Sequence, residues 1–161
     1  MPQAYSFVSR WLVAAPADHV WDALERMLST TTQTVDTPGG RGWWPGLSTP
    51  MPPRRLVPGE RIVLQVRSPL GYGLRMLLEL SDVEPGRAVG ARSDGDLRGS
   101  GRVTVDSAGE AASVVTWCWD VETRRAWMNA TAWVLRPAFE RAHAHVMRRG
   151  ELGLRAALGR R

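Results

Sequence analysis

One histidine near the end of the chain could carry acid–base chemistry. His143 follows Phe139 by one helical turn and lies beside the apolar stripe of a predicted helix. An imidazole that faces a cavity could act as a general acid or base near neutral pH. The alternative is a histidine at the rim of the core, bonded to a backbone carbonyl or to water. Both interpretations place His143 next to a hydrophobic interior.

Three further polar residues could contact a ligand. Arg67 and Tyr72 flank the break RSPLGYG between two predicted strands, where a guanidinium and a phenol could bind an enolate or a carboxylate. Arg67 is out of phase with Leu64 and Val66, which favours the outer face, and Tyr72 falls at a hairpin tip. Asn129 lies at the start of a long predicted helix. Its side chain could bond a ligand carbonyl or could cap the helix.

Other signatures of catalysis or of cofactor binding are missing from the sequence. It contains no GxSxG, no glycine-rich phosphate loop, no paired carboxylates on an inward face and no CxxC. Three scattered histidines and the single cysteine, Cys118, lack the spacing of metal ligands. We therefore expect no metal site and no cofactor, and the four polar candidates alone do not assign an enzyme.

The composition is typical of one globular domain. The 161 residues are 43% hydrophobic, which predicts a single domain over residues 1–161. One cysteine, no signal peptide and no apolar run of about 20 residues favour a cytoplasmic protein without a membrane span. The net charge of +5 invites a nucleic-acid interpretation. However, the arginines are scattered among acids, so we expect no nucleic-acid partner. The oligomeric state cannot be read from the sequence.

The hydrophobic periodicity predicts strands between two helices. Residues Tyr5 to Val13 alternate as a strand, and the next segment carries an apolar helical stripe. The stretch from Ser29 to Pro58 is rich in Thr, Gly and Pro, which predicts one short helical turn and much loop. Alternating segments joined by short turns then predict an antiparallel meander. A long helix from about Met128 to Leu158 closes the chain, with a bend expected at Pro137.

Several local motifs resemble those of the START-like, or SRPBCC, superfamily, in its actinobacterial polyketide cyclase/dehydrase-like branch. They are VAAPADHVWDAL, WWPG, LVPGERI, RSPLGYGLRMLLEL, VEPGRAVG and RRAWMNATAWVLRPAFERAHAHVMRRGELGL. The resemblance implies an α+β helix-grip fold. In that fold a curved antiparallel sheet of about six to seven strands wraps a long C-terminal helix, with short helices after the first strand. Where the narrower group is expected to have Asn-His-Asp, this chain has Ala142, His143 and Ala144, so only the histidine is kept.

The resemblance also implies a cavity between the sheet and the long helix. It would bind a hydrophobic small molecule that is polyketide-, lipid- or terpenoid-like. The chain would then act as a polyketide cyclase/dehydrase or, alternatively, as a non-catalytic carrier or sensor of a lipid or isoprenoid. The fold does not choose between these. The residues expected to line the cavity are Trp43, Trp44, Leu64, Met76, Leu78, Gly99, Gly101, Trp117, Trp119, Met128, Leu135, Phe139 and His143.

Two pairs within this set have two interpretations each. Trp43 and Trp44 stand side by side in a turn-rich segment, where they could close the mouth of the cavity or anchor a loop. Gly99 and Gly101 share a strand face with larger residues. They could leave room for a ligand, or they could allow a kink that curves the sheet.

Overall fold

The computed structural model describes residues 2–29 and 44–159. Within these residues the chain forms seven strands and two helices, in the order β1 (Ala4–Val13), α1 (Ala17–Ser29), β2 (Leu47–Met51), β3 (Arg61–Arg67), β4 (Gly73–Glu84), β5 (Ala88–Gly95), β6 (Leu97–Ser107), β7 (Ser113–Thr123) and α2 (Ala126–Gly159).

The strands form one antiparallel sheet. Their order in space is β1-β7-β6-β5-β4-β3-β2, so β2 to β7 are a meander of sequential neighbours and β1 pairs with β7 at the far edge. The predicted α+β helix-grip fold is confirmed: a curved antiparallel sheet, a helix after the first strand and a long C-terminal helix.

Strand β2 lies inside the stretch that the sequence predicts as mostly loop. It contains Pro50, which cannot donate a backbone hydrogen bond. Because β2 is an edge strand paired only with β3, the missing donor is tolerated there. Hydrophobic periodicity does not predict this strand, because it is short and contains a proline.

The long helix α2 presents an apolar face to the sheet. Its buried residues are Met128, Ala132, Phe139, Ala142, Met147, Gly150 and Leu154.

One turn of α2 departs from the predicted stripe. Leu135 is 37% exposed, and all residues from Trp133 to Pro137 are exposed. Pro137 lacks an N–H, and its ring crowds the carbonyl four residues earlier. The turn before it therefore does not follow the ideal periodicity that placed Leu135 on the inward face.

The start of α2 is tied to two hairpins by Arg125. Its guanidinium donates to both carboxylate oxygens of Asp96, at 2.8 and 2.9 Å, and to the carbonyl oxygen of Gly73 at 3.0 Å. The bidentate pair of hydrogen bonds from Arg125 holds the pKa of Asp96 below its ordinary value. The arrangement fixes the helix N-terminus over the sheet.

Neither described helix could serve as a membrane span, because neither combines sufficient length with sufficient apolar character.

Candidate ligand-binding cavity

A cavity of about 180 Å³ lies between the inward face of the sheet and α2. Its wall draws on all seven described strands and on both described helices. Most of the wall is aliphatic or aromatic, with few polar side chains. The aromatic members are Tyr5, Phe7, Trp44, Tyr72, Trp117, Trp119 and Phe139, and His143 adds an imidazole ring.

Two aromatic clusters contribute to the wall. Around Phe139, the rings of Tyr72 and Trp127 meet one another and Phe139 edge-on, with centroids 5.4–6.0 Å apart. The second cluster contains Trp44, which lies against Gly150. Phe139 and Gly150 are separated by about 16 Å along α2, from the rise of an α-helix. The cavity wall therefore has aromatic rings near two distant points of the helix.

Trp44 is both a wall residue and an anchor. Its indole Nε1 donates to the carbonyl oxygen of Val146 on α2 at 2.9 Å. Its ring makes edge contacts with Trp11 and Trp117, each at 5.2 Å between centroids, and the residue is only 6% exposed. The loop-anchor interpretation therefore describes the contacts of Trp44, although its ring also faces the cavity. Trp43 lies outside the described residues.

Three rings are stacked along the wall formed by β1 and α2. The ring of Phe7 lies 5.7 Å from Tyr5 at an interplanar angle of 12°, and 3.9 Å from His143 at 16°. Alternation along β1 brings Tyr5 and Phe7 to the same inward face. Phe7 thus separates a phenol from an imidazole.

Three buried polar atoms of the wall have no hydrogen-bond partner among the described residues. They are the Oη of Tyr5, the Nε1 of Trp117 and the Nε2 of His143. Burial lowers the pKa of His143 from its ordinary value of 6.5 to about 4. Burial also raises the pKa of Tyr5. At neutral pH both groups are therefore uncharged.

His143 lies in the cavity wall, stacked on Phe7. Its Nε2 has no hydrogen-bond partner among the described residues, so no backbone carbonyl of these residues is bonded to that atom. Its lowered pKa, however, leaves a weak base at neutral pH, because an efficient general base has a pKa near the working pH.

The other polar candidates fall in three different places. Tyr72 lines the cavity. Arg67 is exposed and does not line it. Asn129 accepts from the backbone N–H of Gln3 at 3.1 Å and donates to the carbonyl oxygen of Thr123 at 3.1 Å. Its amide thus joins the first turn of α2 to the end of β7 and to the residue before β1, which is a structural contact.

Ten residues of the expected cavity set do line the cavity: Trp44, Leu64, Met76, Leu78, Gly101, Trp117, Trp119, Met128, Phe139 and His143. Leu135 does not, because its turn of α2 is exposed. Gly99 does not either. Its φ is +153°, and an added Cβ would overlap the carbonyl oxygen of Asp120 on β7. Gly99 therefore serves the close approach of two strands.

Gly101 lines the cavity, but the space above it is already used. A Cβ added there would lie 2.9 Å from the ring of Trp119. The glycine thus makes room for an aromatic side chain of the neighbouring strand, and the ligand would meet that ring.

The sequence analysis missed wall residues at both ends of the first strand–helix unit: Tyr5 and Phe7 on β1, and Met27 and Leu28 on α1. The signal was present in the alternation of β1, where Tyr5, Phe7 and Trp11 share one face. The alternation predicts a strand, but the identity of the inward face depends on how the strand pairs with β7.

The described residues contain no group of three or more His, Cys, Asp or Glu side chains that could hold a metal ion.

No protein-family model matches the chain, and no curated protein matches it in sequence. Solved structures do match. The Zhui aromatase/cyclase from Streptomyces sp. R1128 gives a TM-score of 0.64 at 16% identity, over 99% of this chain and 96% of that one. A START superfamily protein from Mycobacterium smegmatis gives 0.60 at 11%, over 96% and 97%. A conserved protein from Geobacillus kaustophilus gives 0.60 at 9%, over 93% and 95%.

The chain has the START-like fold. At these identities the likeness concerns the fold alone, which is what the motif resemblance predicted. The cavity described above lies between the sheet and the long helix of this fold.

Proposed function

We propose that this protein binds a hydrophobic small molecule, polyketide-, lipid- or terpenoid-like, in the cavity between the sheet and α2. The observation that carries the proposal is the cavity itself, about 180 Å³ with an almost wholly apolar wall. Pockets of this kind, apolar with a few placed polar groups, are the usual sites for small ligands.

The size of the cavity limits the ligand in this conformation. An engineered apolar cavity of about 150 Å³ accommodates benzene. A cavity of about 180 Å³ therefore suits a compound of one or two rings. A longer ligand would need the wall to move.

Native mass spectrometry of the freshly purified chain tests the proposal directly. We expect an additional mass that dissociates when the protein is unfolded. Calorimetric titration with naphthalene, an uncharged apolar probe, tests the empty fraction. If no compound co-purifies and naphthalene does not bind, the proposal is wrong.

A pair of alanines on α2 supplies a matched control. Ala142 is buried and lines the cavity, whereas Ala144 is exposed. Ala142→Leu should fill part of the cavity and weaken naphthalene binding by about tenfold or more, the equivalent of roughly 1.4 kcal/mol. Ala144→Leu adds the same atoms outside the cavity and should leave binding unchanged. Equal effects of the two substitutions would place the probe elsewhere.

A second candidate is catalysis of the polyketide cyclase/dehydrase type. It is favoured by the buried polar atoms of Tyr5 and His143 in the wall, and the name of the Streptomyces neighbour is in line with it. The pKa of His143, at about 4, favours binding instead. Recovery of a dehydrated product and one equivalent of water after incubation with a polyketide-like β-hydroxy ketone, lost in His143→Leu, would favour the enzyme over the carrier.

The proposal extends to the setting of the protein. We take residues 1–161 as one domain that works in the cytoplasm with a small molecule, not nucleic acid, as its partner. Support comes from the surface arginines, many of which pair with neighbouring acids: Arg61 with Glu79 at 3.3 Å and Arg124 with Asp94 at 3.2 Å, for example.

A further inference from the structure

The three unpartnered polar atoms of the cavity differ from the other polar groups of its wall. The Oγ of Ser68 accepts from the N–H of Leu70 at 3.1 Å. The guanidinium of Arg102 donates to Asp82 and to Glu84. These two side chains already have hydrogen-bond partners within the protein, so a ligand would have to compete with those partners to bond to them.

The two tryptophans of the wall give the sharpest comparison. Trp44 and Trp117 are in edge contact and both are buried. The N–H of Trp44 is bonded to Val146, whereas the N–H of Trp117 has no partner in the described residues. Buried polar groups are nearly always hydrogen-bonded, and a specific exception calls for an explanation. An indole N–H can only donate, so its missing partner is an acceptor.

The three atoms are spread along the part of the wall formed by β1, β7 and α2. Tyr5 and His143 flank the ring of Phe7. Phe7 pairs with Trp119 on β7, and Tyr5 pairs with Val121. Trp117 is therefore about 7 Å from the row of Phe7 and about 13 Å from the row of Tyr5 by strand geometry. A molecule of one or two rings can approach neighbouring members of the three, but one oxygen atom cannot bond to all of them.

The charges around these groups favour an uncharged partner. Tyr5 and His143 are neutral at neutral pH, since burial shifts the pKa of each away from ionisation. The guanidinium of Arg136 lies 5.1 Å from the Tyr5 ring centre. It already donates to Glu140 at 3.1 Å. A carboxylate buried here would lose its hydration without gaining a free cation, which is costly.

The wall also favours rings over chains. Seven of its residues are Phe, Tyr or Trp. Aromatic side chains lose little rotamer entropy on binding and interact well with other π-systems in stacked or edge-on arrangements. A flexible alkyl chain would gain less from such a wall and would lose more conformational freedom.

We propose that Tyr5, Trp117 and His143 form a hydrogen-bonding set for an uncharged compound of one or two rings that carries a hydroxyl or carbonyl oxygen. Each of the three serves a separate position of the ligand oxygen: Trp117 donates, Tyr5 donates or accepts, and His143 does either according to its tautomer. This inference rests on the proposed function, because it assumes that the cavity is a ligand site.

Calorimetric titration of the full chain at neutral pH distinguishes the proposed function from the inference about the hydrogen-bonding set. The four probes are 2-naphthol, naphthalene, 2-naphthoate and 1-octanol. We expect 2-naphthol to bind most tightly, at least threefold to tenfold better than naphthalene, the equivalent of one net hydrogen bond. If none of the four probes binds, the proposed function is contradicted. Equal binding of naphthalene and 2-naphthol, or tighter binding of 2-naphthoate or 1-octanol, contradicts only the inference.

Tyr5→Phe tests one member of the set. The substitution removes only the unpartnered hydroxyl, so 2-naphthol should bind about threefold to tenfold more weakly while naphthalene is unaffected. Because a buried unsatisfied group is lost, the free protein should keep or raise its melting temperature. Tyr72→Phe removes the only other tyrosine hydroxyl of the chain. Tyr72 also lines the cavity, so a larger loss of 2-naphthol affinity in Tyr72→Phe than in Tyr5→Phe would assign the hydrogen bond to Tyr72 instead. An unchanged ratio of the two affinities in Tyr5→Phe would overturn the role of Tyr5.

Discussion

The indole ring of Trp44 rests on Gly150, at a point of α2 where the wall of the cavity meets the core. An added Cβ on Gly150 would overlap the ring, and one turn earlier the carbonyl oxygen of Val146 accepts the Trp44 N–H at 2.9 Å. A missing side chain on the helix therefore allows a tryptophan from the segment before β2 to approach the helix backbone. The contact joins two parts of the chain separated by about a hundred residues.

Gly150→Ala should destabilise the protein, although alanine favours a helix over glycine by about 1 kcal/mol. The new methyl group would displace the Trp44 ring, and overpacking of this kind typically costs about 1–3 kcal/mol. Denaturant titration measures the change in unfolding free energy. Gly159→Ala is the control, because a Cβ there meets no atom within 4 Å and should change stability little. If Gly150→Ala proves stabilising, the Trp44 ring does not pack against Gly150 as described.

Two aromatic residues of α2 give opposite expectations. Phe139 is 5% exposed and is packed against Tyr72 and Trp127, so Phe139→Ala should cost about 3–5 kcal/mol of unfolding free energy. Trp133 is 86% exposed, so Trp133→Ala should change it by no more than about 0.5 kcal/mol. Thermal or denaturant unfolding of the two variants checks the orientation of the helix. A small loss in Phe139→Ala would mean that another face of α2 is buried.

Acid should destabilise the protein through His143. Its pKa in the folded state, about 4, is below the ordinary value of 6.5, so the unfolded chain binds the proton first as pH falls. The stabilisation is complete above about pH 6.5 and is lost as pH falls towards 4. Between about pH 7 and about pH 5 the unfolding free energy should fall by about 2 kcal/mol from this group alone.

His143→Leu should flatten that slope, which denaturant titrations at several pH values measure. The carboxyl groups with a lowered pKa contribute little to the slope in this range. Asp96, for example, has a pKa lowered from 3.8 by the hydrogen bond from Arg125. A group of this kind loses its stabilising contribution only below its ordinary pKa. If wild type and variant have the same slope above about pH 4.5, His143 is not buried as described.

The fold could be predicted because its signals are local. Alternation in segments such as β3 and β4, short turns between them and the long stripe of α2 each depend on a few neighbouring residues. The failures occur where local rules compete. β2 contains a proline that only an edge strand tolerates, and Leu135 falls in a turn of α2 that Pro137 disturbs.

The site was predicted less completely, because its chemistry depends on partners distant in sequence. The sequence shows that Trp44 and Trp117 are apolar and in suitable segments. It does not show that the N–H of Trp44 donates to the carbonyl of Val146, whereas the N–H of Trp117 has no partner in the part of the chain that the structure describes. Likewise Gly99 and Gly101 look alike in the strand pattern. The difference between them arises from what β7 places opposite each one, a backbone carbonyl or the Trp119 ring.

The two roles of Trp44 can be separated by two substitutions. Trp44→Phe removes the N–H that donates to Val146 but keeps an aromatic ring in the wall. It should lower the unfolding free energy by about 1 kcal/mol or somewhat more with little change in naphthalene affinity. Trp44→Ala removes the ring as well. It should cost about 3–5 kcal/mol, and it should also weaken naphthalene binding, because the indole is part of the cavity wall.

Calorimetric titration and denaturant unfolding of both variants, at a temperature where each is folded, measure the two effects independently. An anchor alone would predict a stability loss in both variants with unchanged affinity for naphthalene. A wall residue alone would predict no stability loss in Trp44→Phe. We expect neither pattern, since the hydrogen bond to Val146 and the exposure of the ring to the cavity occur in the same side chain. Observation of either pattern would show that one of these two contacts is not made in solution.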